Sequence, residues 1–122
     1  MSVRRLSAAL AVLAAAVGIT ASSVFGASDA ARKITTIRVS ALDSLKFTLS
    51  AKSATAGTVR FVVTNKGNLM HDFWISGKKT PLLGHNKTAT VTVTLKKGKS
   101  YPYKCTVPGH AAAGMKGTFR AR

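Results

Sequence analysis

Apolar and polar residues alternate with a period of two through most of the chain. Ile37 and Val39 flank Arg38; Lys46 and Thr48 separate Leu45, Phe47 and Leu49; Val59, Phe61 and Val63 alternate with Arg60, Val62 and Thr64. His71, Phe73 and Ile75 share one parity, and Val91, Val93 and Leu95 alternate with threonines. Tyr101, Tyr103 and Cys105 follow, with Phe119 in a last short segment. Alternation at this spacing, enriched in β-branched residues, predicts half-buried strands in an all-β sandwich or barrel. Turn signals separate the strands at Ala56-Gly57, Lys66-Gly67-Asn68, Ser76-Gly77 and Lys97-Gly98. Lys78 to Thr88, with Pro81 and Gly84, does not alternate and reads as a long connection, most simply a Greek-key crossover.

The first thirty residues follow a different pattern. Arg4 and Arg5 precede an apolar stretch from Leu6 to Ile19, and small residues follow up to Ser28-Asp29-Ala30. That order predicts a secretory signal peptide over residues 1–30, cleaved after Ala30, and one domain over residues 31–122. The apolar stretch is shorter than the roughly 20 residues of a membrane-spanning helix. An uncleaved anchor is the competing reading. Leu6-Ser7-Ala8 continues a twin-arginine signal poorly, and the leader has no cysteine for a lipid anchor.

Composition narrows the function further. A chain of 122 residues has room for one ordinary domain, which excludes a multidomain enzyme. At 46% hydrophobic and 18% charged residues it is too apolar for a disordered basic tail. A single cysteine excludes an intramolecular disulfide. The expected mature domain has seventeen basic residues against Asp43 and Asp72, a net charge of +15. The basic residues are scattered, densest at Lys78-Lys79 and Lys96-Lys97-Gly98-Lys99. The plain reading is a solvated surface; the sharper one is steering toward an acidic redox partner or association with an anionic cell envelope. Nucleic acid is not expected as a partner, because the aromatic residues lie at core parities and the chain is exported.

The chemical signal is the segment from Cys105 to Gly117. Cys105 ends an inward-facing parity, and Pro108-Gly109 and Gly114 allow the loop to fold back, so that His110 and Met115 can meet its sulfur. His71, of inward parity and just after the Lys66-Gly67-Asn68 turn, supplies another imidazole. A buried cysteine, a loop histidine and a core methionine are each ordinary alone; together they match a His₂Cys site with a weak axial Met, as copper uses. Zinc gains little from a thioether, and an iron–sulfur cluster needs more cysteines. His85 lies outside any strand with no donor at fixed spacing, so it is not expected to be a ligand.

On Asn68-Leu-Met-His71-Asp72 and Cys105 to Gly117 the chain resembles the cupredoxins, the small blue-copper electron carriers that include plastocyanin and azurin. The resemblance implies a Greek-key β-sandwich with one copper ion bound by His71, Cys105, His110 and axial Met115. It implies a solvent-facing edge of His110 as the electron port, ringed by Pro108, Ala111, Ala112, Ala113 and Leu82 or Leu83. Four residues separate Cys105 from His110 and four separate His110 from Met115, a loop azurin-like in its first half and plastocyanin-like in its second. Asp72 stands where the family commonly has asparagine; it can still accept a hydrogen bond from Thr106, and as a buried carboxylate it would lower the potential. The Val107 N–H, where plastocyanin-like loops have proline, acts in the opposite direction. Lys104 stands where plastocyanins place tyrosine, so the resemblance does not extend to a tyrosine-mediated second electron route.

The expected function is therefore electron transfer by an exported, monomeric copper protein in the periplasm or at the cell surface, working with redox partner proteins and not as an enzyme. The alternative is copper storage or delivery in the envelope. A cysteine hydrolase using Cys105 and His110 would leave His71 and Met115 unexplained. A basic envelope-binding module with a vestigial copper site is the remaining reading.

Overall fold

The computed structural model describes residues 33–122. The expected leader, residues 1–30, and its cleavage point lie outside the described residues. Nine strands run in chain order: β1 (Thr35–Leu42), β2 (Lys46–Leu49), β3 (Ser53–Ala54), β4 (Gly57–Asn65), β5 (Trp74–Ile75), β6 (Lys78–Lys79), β7 (Thr88–Leu95), β8 (Ser100–Lys104) and β9 (Lys116–Ala121). They form a two-sheet Greek-key sandwich, with order β2-β1-β4-β7 in one sheet and β3-β9-β8-β5-β6 in the other.

The alternating pattern explains the layers. In the parallel β1–β4 pair Ile37 lies opposite Phe61 and Val39 opposite Val63; in the antiparallel β4–β7 pair Phe61 faces Val91 and Val59 faces Val93. Each strand thus turns its apolar parity to the same face. That face packs on Phe73, Ile75, Tyr103 and Phe119 from the other sheet. Phe61 meets Phe119 edge-on at 5.1 Å between ring centroids, and Phe47 meets Phe73 edge-on at 5.2 Å. Full burial of a side chain such as Phe61, Phe73 or Phe119 stabilises the fold by about 1.5–3 kcal/mol.

The long connection is more structured than its sequence suggests. Lys78–Lys79 pairs with Trp74–Ile75 as a hairpin, turning through Ser76 and Gly77 at positive φ. The buried Thr80 secures it: its N–H donates to the Phe73 carbonyl and its hydroxyl accepts from the Phe73 N–H, both at 3.0 Å. Leu83 then forms a bridge with His71. Two-residue strands and a single bridge show no period, and β3, paired only with the end of β9, escapes the pattern for the same reason. Because β1 and β4 are parallel, their C-terminal ends lie at one pole. The β8–β9 loop reaches that pole, where Ala41, Cys105 and Met115 form a second buried cluster.

Candidate metal centre

Three donor side chains converge at this pole. His71 Nδ1 lies 3.2 Å from His110 Nδ1, and Cys105 Sγ lies 3.6 Å from the same atom. All three donor atoms are within 4.8 Å of one another. His71 and Cys105 are buried, and His110 is half-buried at the rim. Metal ions of the first transition row sit about 2.0–2.1 Å from imidazole nitrogen and about 2.3 Å from thiolate sulfur. Separations of 3.2 and 3.6 Å are those that such bonds span at angles near 100–115°. The donor set therefore fits a single soft-to-borderline ion. Among the described residues this is the one group of His, Cys, Asp and Glu side chains so arranged.

The loop from Cys105 to Met115 folds back as its glycines allow. Gly109 and Gly114 adopt positive φ, and the His110 N–H donates to the Val107 carbonyl, while the Met115 N–H donates to the His110 carbonyl at 3.0 Å. The Cys105 N–H donates to the Met115 carbonyl at 3.1 Å, closing the loop at its base. Met115 is fully buried in the cluster that holds Cys105. All four sequence-predicted site residues thus lie at one pole. His85 does not join them; it is exposed, with Nδ1 2.9 Å from the Gly67 carbonyl.

Asp72 links the two ligand-bearing segments. Its carboxylate accepts the Thr106 N–H at 2.6 Å and the Thr106 hydroxyl in a second, short hydrogen bond. Lys79 Nζ lies 3.8 Å from it. Burial pushes the Cys105 thiol up; backbone N–H groups of Asp72 and Val107 oppose this by donating to the sulfur, and the Asp72 charge adds to the rise. A bound cation would reverse that balance, since metal coordination deprotonates a thiol.

Two residues that the sequence pattern did not single out build the His71 side. Asn65, fully buried, donates to the Leu69 and Leu83 carbonyls, each at 2.7 Å, and accepts the Gly67 N–H at 2.9 Å. Asp43 accepts the Asn68 N–H at 2.7 Å and the Leu69 N–H at 3.0 Å, and its Oδ1 lies 3.4 Å from His71 Nε2. Those two backbone donors, more than His71, hold the Asp43 carboxyl below the usual carboxylate range. Asp43 is separated from its partners by about a fifth of the chain, so no local signal marks it. The turn signal at Gly67 is the nearest hint.

The rim around His110 is apolar. Pro108, Ala112 and Ala113 are exposed and Ala111 is half-buried. Of the two leucines expected there, Leu82 is exposed and Leu83 is buried in the core. Leu69 and Met70 are also exposed, and Met70, Leu82, Val107 and Pro108 line a shallow cleft with Asp72, Lys79 and Thr106.

Known proteins share this family pattern and fold. Residues 29–121 fit the model of the copper-binding proteins of the plastocyanin/azurin family. The copper-resistant cuproprotein CopI of Rubrivivax gelatinosus is 29% identical, covering 77% of this chain and 70% of that protein. Reduced auracyanin from Roseiflexus castenholzii superposes with a TM-score of 0.62 at 21% identity, covering 72% of this chain and 97% of that one. Auracyanin A, a blue copper protein from Chloroflexus aurantiacus, gives 0.61 at 22% identity over 74% and 100%. An azurin from Methylomonas sp. strain J gives 0.58 at 18% over 72% and 98%. With the family model spanning all but the last of the described residues and a His71–Cys105–His110 cluster suited to one copper ion, the chain belongs to the plastocyanin/azurin family of copper-binding proteins, the cupredoxins.

Proposed function

We propose that the protein is an exported mononuclear blue-copper electron carrier, in which His71, Cys105 and His110 would hold the copper and Met115 would add a weaker thioether donor. The convergence of three donor atoms within 4.8 Å, over a buried methionine that shares the cysteine's cluster, carries this reading. Bound there, copper supplies a one-electron Cu(II)/Cu(I) couple. The chain's own residues do the rest. Burial of His71, Cys105 and Met115 excludes water, and the Asp72–Thr106 link and the Cys105–Met115 backbone bond keep the donors in place when charge changes. His110, half-buried within an apolar rim, is the route by which an electron leaves or enters. With every donor drawn from the protein, the reading assigns electron transfer and no substrate chemistry.

The charge supports an anionic partner. Both carboxylate side chains of the described domain, Asp43 and Asp72, are engaged at the copper pole, so the remaining surface offers only basic ionised side chains. An acidic redox protein is favoured, with the anionic envelope as a further contact. The leader-like N-terminus supports export to the periplasm or outer cell surface.

The likeness to a protein named for copper resistance favours a second reading, copper storage or delivery in the envelope. Titrating the protein with Cu(II) separates the readings. An intense orange-red thiolate-to-copper band, bleached by reductant, with fast electron self-exchange measured by NMR line broadening, is expected of the carrier. The same band with slow self-exchange and ready copper transfer to a chelator would favour delivery. A colourless product would overturn the ligand assignment.

A further inference from the structure

We propose that Asp43 is a positioning residue for the copper site, its carboxylate holding the His71 ring with Nε2 protonated and Nδ1 turned toward Cys105 and His110. The inference rests on the reading of His71 as a ligand and adds a residue that acts through it. A neutral imidazole carries one proton, so a partner for Nε2–H decides that Nδ1 keeps its lone pair. His71 is fully buried, and Asp43 Oδ1, 3.4 Å from Nε2, is the acceptor placed to meet that proton. The separation is long for N–H···O and the carboxylate is 39% exposed, so the contact acts through charge on a fully buried ring more than as a tight hydrogen bond.

The carboxylate is itself held. Oδ2 accepts the Asn68 N–H and Oδ1 the Leu69 N–H, so the loop that leads into His71 clasps the group that orients His71. Gly67 makes the approach possible: a Cβ there would collide with the Asp43 carboxyl and crowd its backbone nitrogen at 3.0 Å. The Leu45 N–H, donating to the Leu42 carbonyl at 3.0 Å, closes the turn that presents Asp43. Loop, turn and ring are thus built around one carboxylate. A carboxylate on the far nitrogen makes the imidazole a stronger donor and favours the more highly charged Cu(II); removing such a partner typically costs about 10–100-fold in metal affinity.

The test compares the copper-loaded wild type, Asp43→Asn and His71→Gly. Asparagine keeps the size of Asp43 but has one acceptor oxygen and no charge. Asp43→Asn is expected to keep a blue band, to lose about tenfold or more in Cu(II) affinity, and to change less in Cu(I) affinity. A tenfold change in that ratio is a rise of about 59 mV in the potential. Nitrogen-15 NMR of the Cu(I)-loaded wild type is expected to show His71 protonated at Nε2 with slow solvent exchange, and exchange is expected to quicken in Asp43→Asn. An unchanged potential in Asp43→Asn, even with a lower melting temperature, would overturn the proposal and leave Asp43 a structural cap. A wild-type Nε2–H in free exchange would also overturn it, whether or not the variant folds. His71→Gly separates the failures: loss of the blue band until imidazole is added upholds the ligand reading. An unchanged band would sink that reading and this proposal together.

Discussion

The link between Asp72 and Thr106 joins the segment bearing His71 to the strand end bearing Cys105, and its strength is open to measurement. Thr106→Val keeps the side-chain shape and removes the hydroxyl that donates to Asp72 Oδ2. Asp72 is 1% exposed and retains only the Thr106 N–H at 2.6 Å and a half-exposed Lys79 at 3.8 Å. A hydrogen bond to a charged group contributes about 1.5–3 kcal/mol, so the variant should lose about 2 kcal/mol. In Asp72→Asn the amide can accept the same N–H and donate to the same hydroxyl, and a neutral bond contributes only about 0.5–1.5 kcal/mol. The cost of Thr106→Val should therefore fall by about half in that background. Urea unfolding of the metal-free protein is the assay, since bound copper would add its own linkage. With a slope of about 1–2 kcal/mol/M, the single variant should move the midpoint by about 1–2 M. Equal costs in the two backgrounds, or a cost below about 0.5 kcal/mol in both, would refute a charge-assisted link.

Asn65→Ala strands the Gly67 N–H and the Leu69 carbonyl in the loop before His71, while the Leu83 carbonyl keeps the His71 N–H at 3.2 Å, so it should cost about 2 kcal/mol and lower the melting temperature by about 8 °C or more; a near-neutral result would mean that water replaces the amide. Met115→Leu conserves volume and should cost less than about 1.5 kcal/mol while keeping copper and moving the potential; an unchanged potential in voltammetry would remove Met115 from the axis. Burial raises the Cys105 thiol above its ordinary 9.0 and the Tyr103 phenol above its ordinary 10.0. Both groups hold their protons to higher pH when folded, so their contribution is complete below those values and is lost as pH rises through them. Unfolding midpoints of the metal-free protein should fall from about pH 9 upward, and a flat profile to pH 11 would contradict this. Electron transfer to an acidic partner should slow as salt shortens the screening length from about 10 Å at 0.1 M to about 3 Å at 1 M; a salt-independent stopped-flow rate would remove steering.

Much of this was legible in the chain. A period of two assigns β1, β4 and β7 and their core faces, because a strand turns alternate residues to opposite sides whatever its neighbours. The parities of His71 and Cys105 and the glycines of the 105–115 loop foretell convergence for the same local reason. The likeness to the cupredoxins, not the local pattern, pointed to Asp72 and Thr106 as partners. Leu82 and Leu83 were indistinguishable as rim residues; the bridge to His71 turned Leu83 inward and left Leu82 outside.

The amino-acid sequence by itself determined the strand pattern, the soft donor set and the excess of positive charge, each a property of residues near one another or of their sum. Only the tertiary structure decided what supports the donors. Asn65 reaches Leu83 across 18 positions, Asp43 reaches His71 across 28 and Asp72 reaches Thr106 across 34, each at the pole where the parallel β1–β4 pair and the β8–β9 loop end together. A polar residue in a turn looks alike in sequence whether it meets water or a buried ring. Which of these it meets is settled by packing, because a buried imidazole or carboxylate must find its hydrogen-bond partner wherever the sheets bring one within reach.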